Sequence, residues 1–270
     1  MTESTGIDTM HGEDGVLRIT IDRADVGNSL SPNARDALAE AFIEAHSNPA
    51  VRAVLLRAAG SRHFCAGAGL PSKTDNPVPQ ALAEKRPGDI ARMLAEGWQR
   101  LVASVLDCDK PVVAAVNGVA FAGGFLLAQQ CDLVVAAEHA TFAVSEVKVG
   151  RGSPWAAPLS WLVPPRVAMQ ILLTGDPITA ERAHQVGLVN EVVPADQLRE
   201  RTQQLALSIA ANAPLSVLAS KRTVYLSAQH HLAAAYDLAD EIWEPVYLSD
   251  DAQEGPTAFR EKRAPQWKGC

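Results

Sequence analysis

The order of hydrophobic and polar positions predicts alternating strands and helices over the first two thirds of the chain. Residues 16–21 (VLRITI) alternate in polarity, which is typical of a strand with one buried face. Ser31-Pro32 is a helix-start pair, and the apolar residues that follow it recur at helical spacing. The mostly apolar runs 51–58 and 111–116 each predict a buried strand. This mixture indicates the α/β class.

The pattern changes near residue 178, after which helical spacing dominates. Residues 188–193 (LVNEVV) still predict a strand, but nearly all of the chain from Asp196 onward is periodic in the helical sense. We therefore expect three parts: a flexible polar tail over 1–13, an α/β core over 14–195 and a helical region over 196–270.

The net charge and the cysteine content indicate which binding partners and which cellular compartment to expect. The 31 acidic and 24 basic residues give a net charge of −7, whereas nucleic acids and anionic membranes attract basic surfaces. The four cysteines are far apart and form no metal-binding spacing, so no metal site is expected. The polar, acidic first residues do not resemble a signal peptide, and we expect a cytoplasmic protein.

An uncharged stretch over residues 111–131 is long enough to suggest a membrane span. Asn117-Gly118, Gly123-Gly124 and Gln129-Gln130 interrupt it, however. A buried strand, loop and helix therefore describe this stretch better than a transmembrane helix does, and no membrane contact is expected.

Two glycine-rich turns are candidates for binding a ligand through the backbone. FCAGAG (64–69) and NGVAFAGG (117–124) each follow a predicted strand, and the second enters a helix. Small residues let the backbone approach a ligand, and unpaired N–H groups at a helix start point outward. Two such turns facing each other would direct two donors at one oxygen, an oxyanion-hole arrangement. Tight packing between strand and helix explains the same glycines equally well.

Glu146 is the candidate for proton transfer. It follows a predicted strand at 141–144 and lies between Val144 and Val147 in an otherwise apolar stretch. A carboxylate in an apolar cleft has a raised pKa and can move a proton at neutral pH. An ordinary exposed glutamate at the end of a strand is the alternative.

Four ordered segments together resemble the crotonase (enoyl-CoA hydratase/isomerase) superfamily. HFCAGAGL (63–70) is similar to the family's F-C-A-G-A-D-L segment, and KPVVAAVNGVAFAGG (110–124) is similar to its long glycine-containing segment. TGDPITAERAHQVGLVNEVVP (174–194) and EGPTAFREKRAPQWKG (254–269) resemble two further segments near the C-terminus. The resemblance covers the chain from about residue 15 to its end.

The resemblance implies a spiral of ββα turns, with a helical C-terminal region that assembles trimers or dimers of trimers. It also implies a coenzyme A thioester as substrate, with no separate cofactor. By position, the amides of Ala68 and Gly123 would bind the thioester oxygen and stabilise an enolate.

Further residues are expected to contact the substrate. By the same resemblance, Ala66 and Leu70 flank the first donor and would line the coenzyme. Trp155 follows Glu146 closely in the sequence and is a candidate wall of the acyl pocket, and a packed core tryptophan is the alternative. Phe259 and Lys262 match C-terminal positions that reach a coenzyme, often that of the neighbouring subunit. Lys262 would supply charge for a phosphate.

One departure from the family pattern bears on the reaction. Hydratases of the family hold a water between two glutamates; Glu146 matches the second, whereas Leu126 occupies the first position. A single carboxylate that removes a proton at one carbon and returns it at another is enough to move a double bond. The leading hypothesis is therefore double-bond isomerisation of an enoyl-CoA.

Two alternatives remain. The protein could be a hydratase, dehydratase, other lyase or hydrolase with a substitute acid or base, for which Asp89 and Glu96 are candidates. It could also be a silent paralogue that binds an acyl-CoA without turnover.

Overall fold

The structure is a computed structural model that describes residues 4–68 and 89–270, with only the backbone described for residues 89–97. The expected site residue Leu70 lies outside these residues, as do the side chains of Asp89 and Glu96. The described part contains ten strands: β1 (Ile7–His11), β2 (Val16–Ile21), β3 (Ala53–Ala58), β4 (His63–Cys65), β5 (Val112–Val116), β6 (Val119–Phe121), β7 (Leu133–Ala137), β8 (Thr141–Ala143), β9 (Ile178–Thr179) and β10 (Glu191–Val193).

The same residues form ten α-helices, and the last four of them make up a helical C-terminal region. They are α1 (Pro32–Ser47), α2 (Asp89–Asp107), α3 (Gly123–Gln130), α4 (Leu159–Leu162), α5 (Pro165–Thr174), α6 (Ala180–Gln185), α7 (Leu198–Ala210), α8 (Pro214–Ser227), α9 (Leu232–Tyr247) and α10 (Asp251–Glu261). None of the described helices is both long and apolar enough to span a membrane.

Two sheets organise the first part of the molecule. The larger has the order β1-β2-β3-β5-β7-β10, in which only the β1–β2 pair is antiparallel. The smaller has the order β4-β6-β8-β9, with β4, β6 and β8 mutually parallel. Parallel sheets flanked by helices confirm the expected α/β class.

Two hydrophobic cores lie on the two faces of the larger sheet. One contains Leu17, Ile19 and Ile21 from β2 and extends through α1, α3 and the smaller sheet. The alternate residues face the other way: Val16 of β2 packs with Leu55 of β3 against α7. This division follows from the two-residue period of a strand, and it separates the smaller sheet from α7.

Local signals in the sequence account for several helix boundaries. The Ser31 hydroxyl accepts a hydrogen bond from the Ala34 N–H, with Pro32 in the first turn of α1, as the capping pair predicted. The Thr179 hydroxyl likewise caps α6 by accepting from the Arg182 N–H.

The expected flexible tail over residues 1–13 is wrong for Ile7–His11. These residues form β1, which pairs antiparallel with β2 along its whole length. Four of the five side chains of β1 are exposed, so backbone hydrogen bonds rather than a hydrophobic face hold this edge strand. Hydrophobic patterning therefore gives no sign of it.

The Asp132 carboxylate attaches the C-terminal region to the larger sheet. It accepts hydrogen bonds from the Val112 N–H at 2.7 Å, the Lys221 ammonium at 2.7 Å and the Tyr225 hydroxyl at 2.9 Å. Since the Lys221 and Asp132 side chains are only 11% and 15% exposed, this ion pair is largely shielded from water.

Candidate active site

Three neighbouring parallel strands end at one edge of the smaller sheet, and each leads to one of the expected catalytic residues. Ala68 lies just beyond β4, Gly123 just beyond β6 and Glu146 just beyond β8. Because parallel strands point the same way, their carboxyl ends share an edge, which is where α/β proteins commonly bind ligands.

The two glycine-rich turns contact each other directly. Gly67 adopts φ +93°, and a Cβ added there would lie 3.0 Å from the Ala122 Cβ and 3.1 Å from the Gly123 nitrogen. A side chain at position 67 would therefore be both strained and in close contact with the second turn. The two turns therefore lie against each other at this point.

The start of α3 leaves one backbone amide unpaired at this contact. Ala122 precedes the helix with φ +50°, and its N–H donates to the Ala143 carbonyl of β8. The first helical hydrogen bond runs from the Leu126 N–H to the Ala122 carbonyl. Within the described residues, the Gly123 N–H has no acceptor, as is usual in the first turn of a helix.

Close packing leaves no room for a side chain at three glycines of the second turn, and the neighbouring group differs among them. A Cβ at Gly118 would lie 2.3 Å from the Arg62 carbonyl oxygen, and one at Gly124 would lie 1.9 Å from that of Cys65. At Gly123 the obstacle is a side chain, because a Cβ there would lie 2.1 Å from Cη2 of Trp98. Backbone packing thus accounts for Gly118 and Gly124, whereas Gly123 lies beneath an indole ring.

Glu146 lies in a 3-10 helix, Ser145–Val149, that follows β8. Its Oε2 atom is buried and has no hydrogen-bond partner within the described residues. Burial raises the pKa of Glu146, partly offset by a backbone hydrogen bond. The carboxyl is thus half-buried with a raised pKa, as the apolar sequence around it predicted, and it is not an ordinary exposed glutamate.

Leu126 is 2% exposed and lies in α3, three residues after Gly123. Its helix neighbours Phe125 and Leu127 belong to the main core, whereas Leu126 belongs to neither of the two core clusters of the described residues. A leucine at this position has no proton to exchange and cannot hold a water by hydrogen bonding.

A buried asparagine holds the loop before α1 against the strand that leads to the first turn. Asn28 is fully buried, and its amide donates to the carbonyls of Ala59 at 2.9 Å and His63 at 2.7 Å. Its side-chain oxygen accepts from the Arg23 N–H at 2.9 Å. The chain then returns to the first turn, where the Leu30 N–H donates to the Gly67 carbonyl at 2.8 Å.

The other expected contact residues are distributed differently. Ala66 is exposed within the first turn, and its N–H donates to the Gly27 carbonyl at 3.1 Å. Trp155 is half-buried and packs against the main core. Phe259 on α10 is 87% exposed, and Lys262 directly after α10 is also exposed.

Sequence reasoning missed the contacts of Trp98. The Trp98 ring contacts Gly123, and the Arg35 guanidinium carbon lies 5.1 Å from the ring centre. The Arg35 Nε is buried without a hydrogen-bond partner, and burial lowers the pKa of this guanidinium. The contact joins α1, α2 and α3, three helices far apart in sequence, so no local pattern could have shown it.

Comparison with known proteins agrees with this architecture. A family model described as enoyl-CoA hydratase/isomerase matches residues 11–270. The chain is 35% identical over 260 residues to carnitinyl-CoA dehydratase of Salmonella typhi, which covers 94% of this chain and 95% of that protein.

Solved structures superpose over nearly the whole chain. An enoyl-CoA hydratase from Bacillus anthracis has a TM-score of 0.90 at 29% identity and covers 98% of this chain and 100% of its own. A probable enoyl-CoA hydratase/isomerase from Mycobacterium abscessus has a TM-score of 0.84 at 34% identity, covering 99% of this chain and 100% of its own.

Proposed function

The chain belongs to the enoyl-CoA hydratase/isomerase (crotonase) family, and on that basis we propose that it moves a double bond within an enoyl-CoA thioester. The coarser conclusion, a crotonase-type enzyme related to hydratases and dehydratases, follows from the family itself. The preference for isomerisation rests on one observation: Glu146 is present, and Leu126 fills the partner position.

In the proposed mechanism, the amides of Ala68 and Gly123 bind the thioester oxygen. The contact between the two turns and the unpaired Gly123 N–H support this role. Negative charge grows on that oxygen when the α-carbon loses a proton, so donors directed at it lower the barrier. Removing one donor from such a site typically costs about 10²–10³ in rate.

Glu146 acts as both base and acid. Its carboxylate takes a proton from C2 of a 3-enoyl-CoA, and the C–H electron pair enters a dienolate that extends to the thioester oxygen. The resulting carboxylic acid returns the proton to C4, which leaves the double bond between C2 and C3. No water is consumed, and the buried carboxyl with its raised pKa is suited to holding the proton between the two steps.

The test is product analysis by mass spectrometry in heavy water, with a 3-enoyl-CoA and separately a 2-enoyl-CoA as substrates. We expect conversion of the 3-enoyl to the 2-enoyl compound with deuterium uptake and no added water. Glu146→Gln should lower this rate by about 10²–10⁴-fold. Glu138→Gln is the matched control, because Glu138 is an exposed glutamate just after β7 and should leave the rate unchanged.

A second candidate, reversible hydration of the double bond, is favoured by the name of the 35% identical relative, a dehydratase. In that case another group supplies the function absent at Leu126, and the 2-enoyl substrate gains one water. Wild-type hydration would refute the single-glutamate mechanism. If hydration is absent, Leu126→Glu should introduce it by restoring a second carboxylate. Retention of the thioester without either product would indicate a non-catalytic acyl-CoA-binding protein.

The proposed coenzyme contacts extend the site beyond one chain. Ala66 and Leu70 line the coenzyme beside the first donor, and Trp155 bounds the acyl group. Phe259 and Lys262 reach the coenzyme of a neighbouring copy in a homotrimer or dimer of trimers, a role supported by the almost complete exposure of Phe259. Light scattering should give a mass that is a multiple of three chains, and Phe259→Ala should raise KM more than it lowers kcat.

A further inference from the structure

A groove on the outer face of the larger sheet brings three arginines together. Arg18 of β2 and Arg57 of β3 project from neighbouring strands, and Arg199 lies in the first turn of α7, which packs on this face. These side chains line a cavity of ≈ 430 Å³. The volume is within the range of small-molecule sites.

The three arginines differ in how their charge is compensated. Arg18 is almost fully buried and bonds to the Asp14 carboxylate and to the Gln203 side chain, so its guanidinium is satisfied. Arg57 uses only Nε, which donates to the Thr20 hydroxyl at 2.9 Å. Among the described residues, no carboxylate forms an ion pair with Arg57 or Arg199.

The unpaired charges repel each other. Burial lowers the pKa of the Arg57 guanidinium, and the nearby positive charges of Arg199 and Arg18 lower it further. Arg57 and Arg199 are therefore two cations without an ion-pair partner among the described residues, in a groove that Asp196 and Glu200 also line. An arginine fork presents its N–H donors in the geometry that matches an oxyanion.

We infer that this groove binds a compact oxyanion, a phosphate or a phosphate monoester, held between Arg57 and Arg199. The negative charges of Asp196 and Glu200 in this lining disfavour an extended polyanion such as a nucleic acid. Both acids lie at the start of α7, where carboxylates also stabilise the helix.

The groove is separate from the proposed thioester site. Its walls adjoin the core between the larger sheet and α7, which includes Leu55 and Ala206. The turns that hold Gly67 and Gly123 adjoin the opposite core, which includes Cys65 and Val144. The larger sheet lies between the two sites, so an anion in the groove does not occupy the coenzyme position.

Equilibrium dialysis with radiolabelled inorganic phosphate tests the inference. The full-length protein is used at matched ionic strength with saturating free coenzyme A, which keeps the phosphate out of any coenzyme site. We expect saturable binding of one phosphate per chain. Arg199→Gln and Arg57→Gln should each weaken binding about tenfold or more, because each removes a charged hydrogen-bond donor.

Arg166→Gln is the matched control, since Arg166 is also an exposed arginine in the first turn of a helix, here α5. It should leave phosphate binding unchanged, and circular dichroism should show all three variants folded. Absence of saturable binding up to about 10 mM phosphate would overturn the inference. Equal weakening by Arg166→Gln would also overturn it, because the effect would then be one of general charge. Saturable binding that appears only when coenzyme A is left out would assign the phosphate to the thioester site instead.

Discussion

Replacing Gly123 with alanine tests how the second turn is held. The new Cβ would lie 2.1 Å from Cη2 and 2.5 Å from Cζ2 of Trp98, whereas non-bonded carbons approach to about 3.5 Å. The ring or the turn must therefore move by roughly 1.4 Å. We expect Gly123→Ala to cost about 1–3 kcal/mol of unfolding free energy, as overpacking does. If the Gly123 N–H moves by this distance, kcat/KM on a 3-enoyl-CoA should fall by about 100-fold.

A second substitution, Trp98→Leu, tests whether the indole ring causes these losses. In a Trp98→Leu background the obstructing ring is gone, so adding Gly123→Ala should cost little further stability or activity, and the two changes should be strongly non-additive. Gly124→Ala provides the contrast, because its Cβ would meet the Cys65 backbone carbonyl, which no side-chain change can remove. Urea unfolding and steady-state kinetics measure both effects. Equal costs of Gly123→Ala in the two backgrounds would refute the assigned contact.

Three further predictions concern buried polar groups. Asn28→Ala should lower the unfolding free energy by about 3 kcal/mol because three backbone partners lose their hydrogen bonds, whereas the exposed Asn33→Ala should change it little in the same urea titration. Lys221→Met should cost about 3 kcal/mol by leaving a shielded carboxylate unpaired, and Lys268→Met, in an ion pair 66% exposed on both sides, should cost under about 1 kcal/mol. Because burial raises the pKa of Glu146, kcat/KM should rise with pH through an inflection above that of an ordinary glutamate. Over the same interval, wild-type stability should fall relative to Glu146→Gln, since the folded state holds the proton more tightly; a flat difference would contradict the assignment.

The parts of the fold that the sequence predicts are those governed by local rules. The capped start of α1 at Ser31 and the long apolar periods of β2, β3 and β5 are visible because each depends on neighbouring residues. The three-residue strands β4 and β6 overlap the small-residue stretches 64–69 and 117–124, so the sequence predicts turns where these strands lie. Backbone pairing alone reveals them.

In the candidate site, too, the features that depend on neighbouring residues are predictable from the sequence and those that depend on distant residues are not. The raised pKa of Glu146 agrees with the sequence-based expectation, because the strand before it, β8, ends in the buried core and leaves the carboxyl half-buried. The contacts of Trp98 and Asn28 are not predictable, since their partners lie on elements remote in the chain. Long-range packing of α2 onto α3 brings Trp98 to Gly123, and no nearby residue encodes that contact.

The proposed functional groups at the three strand ends of the smaller sheet differ in how easily a mutation removes them. In the proposed site, the donors at Ala68 and Gly123 are main-chain amides, which every residue except proline retains. A substitution at either position therefore keeps the N–H donor, provided that the new side chain fits the space available. The proton-transfer group is a side chain, as is the group at Leu126, and one codon change can create or delete either. A protein with this site can therefore change its reaction by substituting acid–base side chains, while the main-chain amides that stabilise the enolate stay the same.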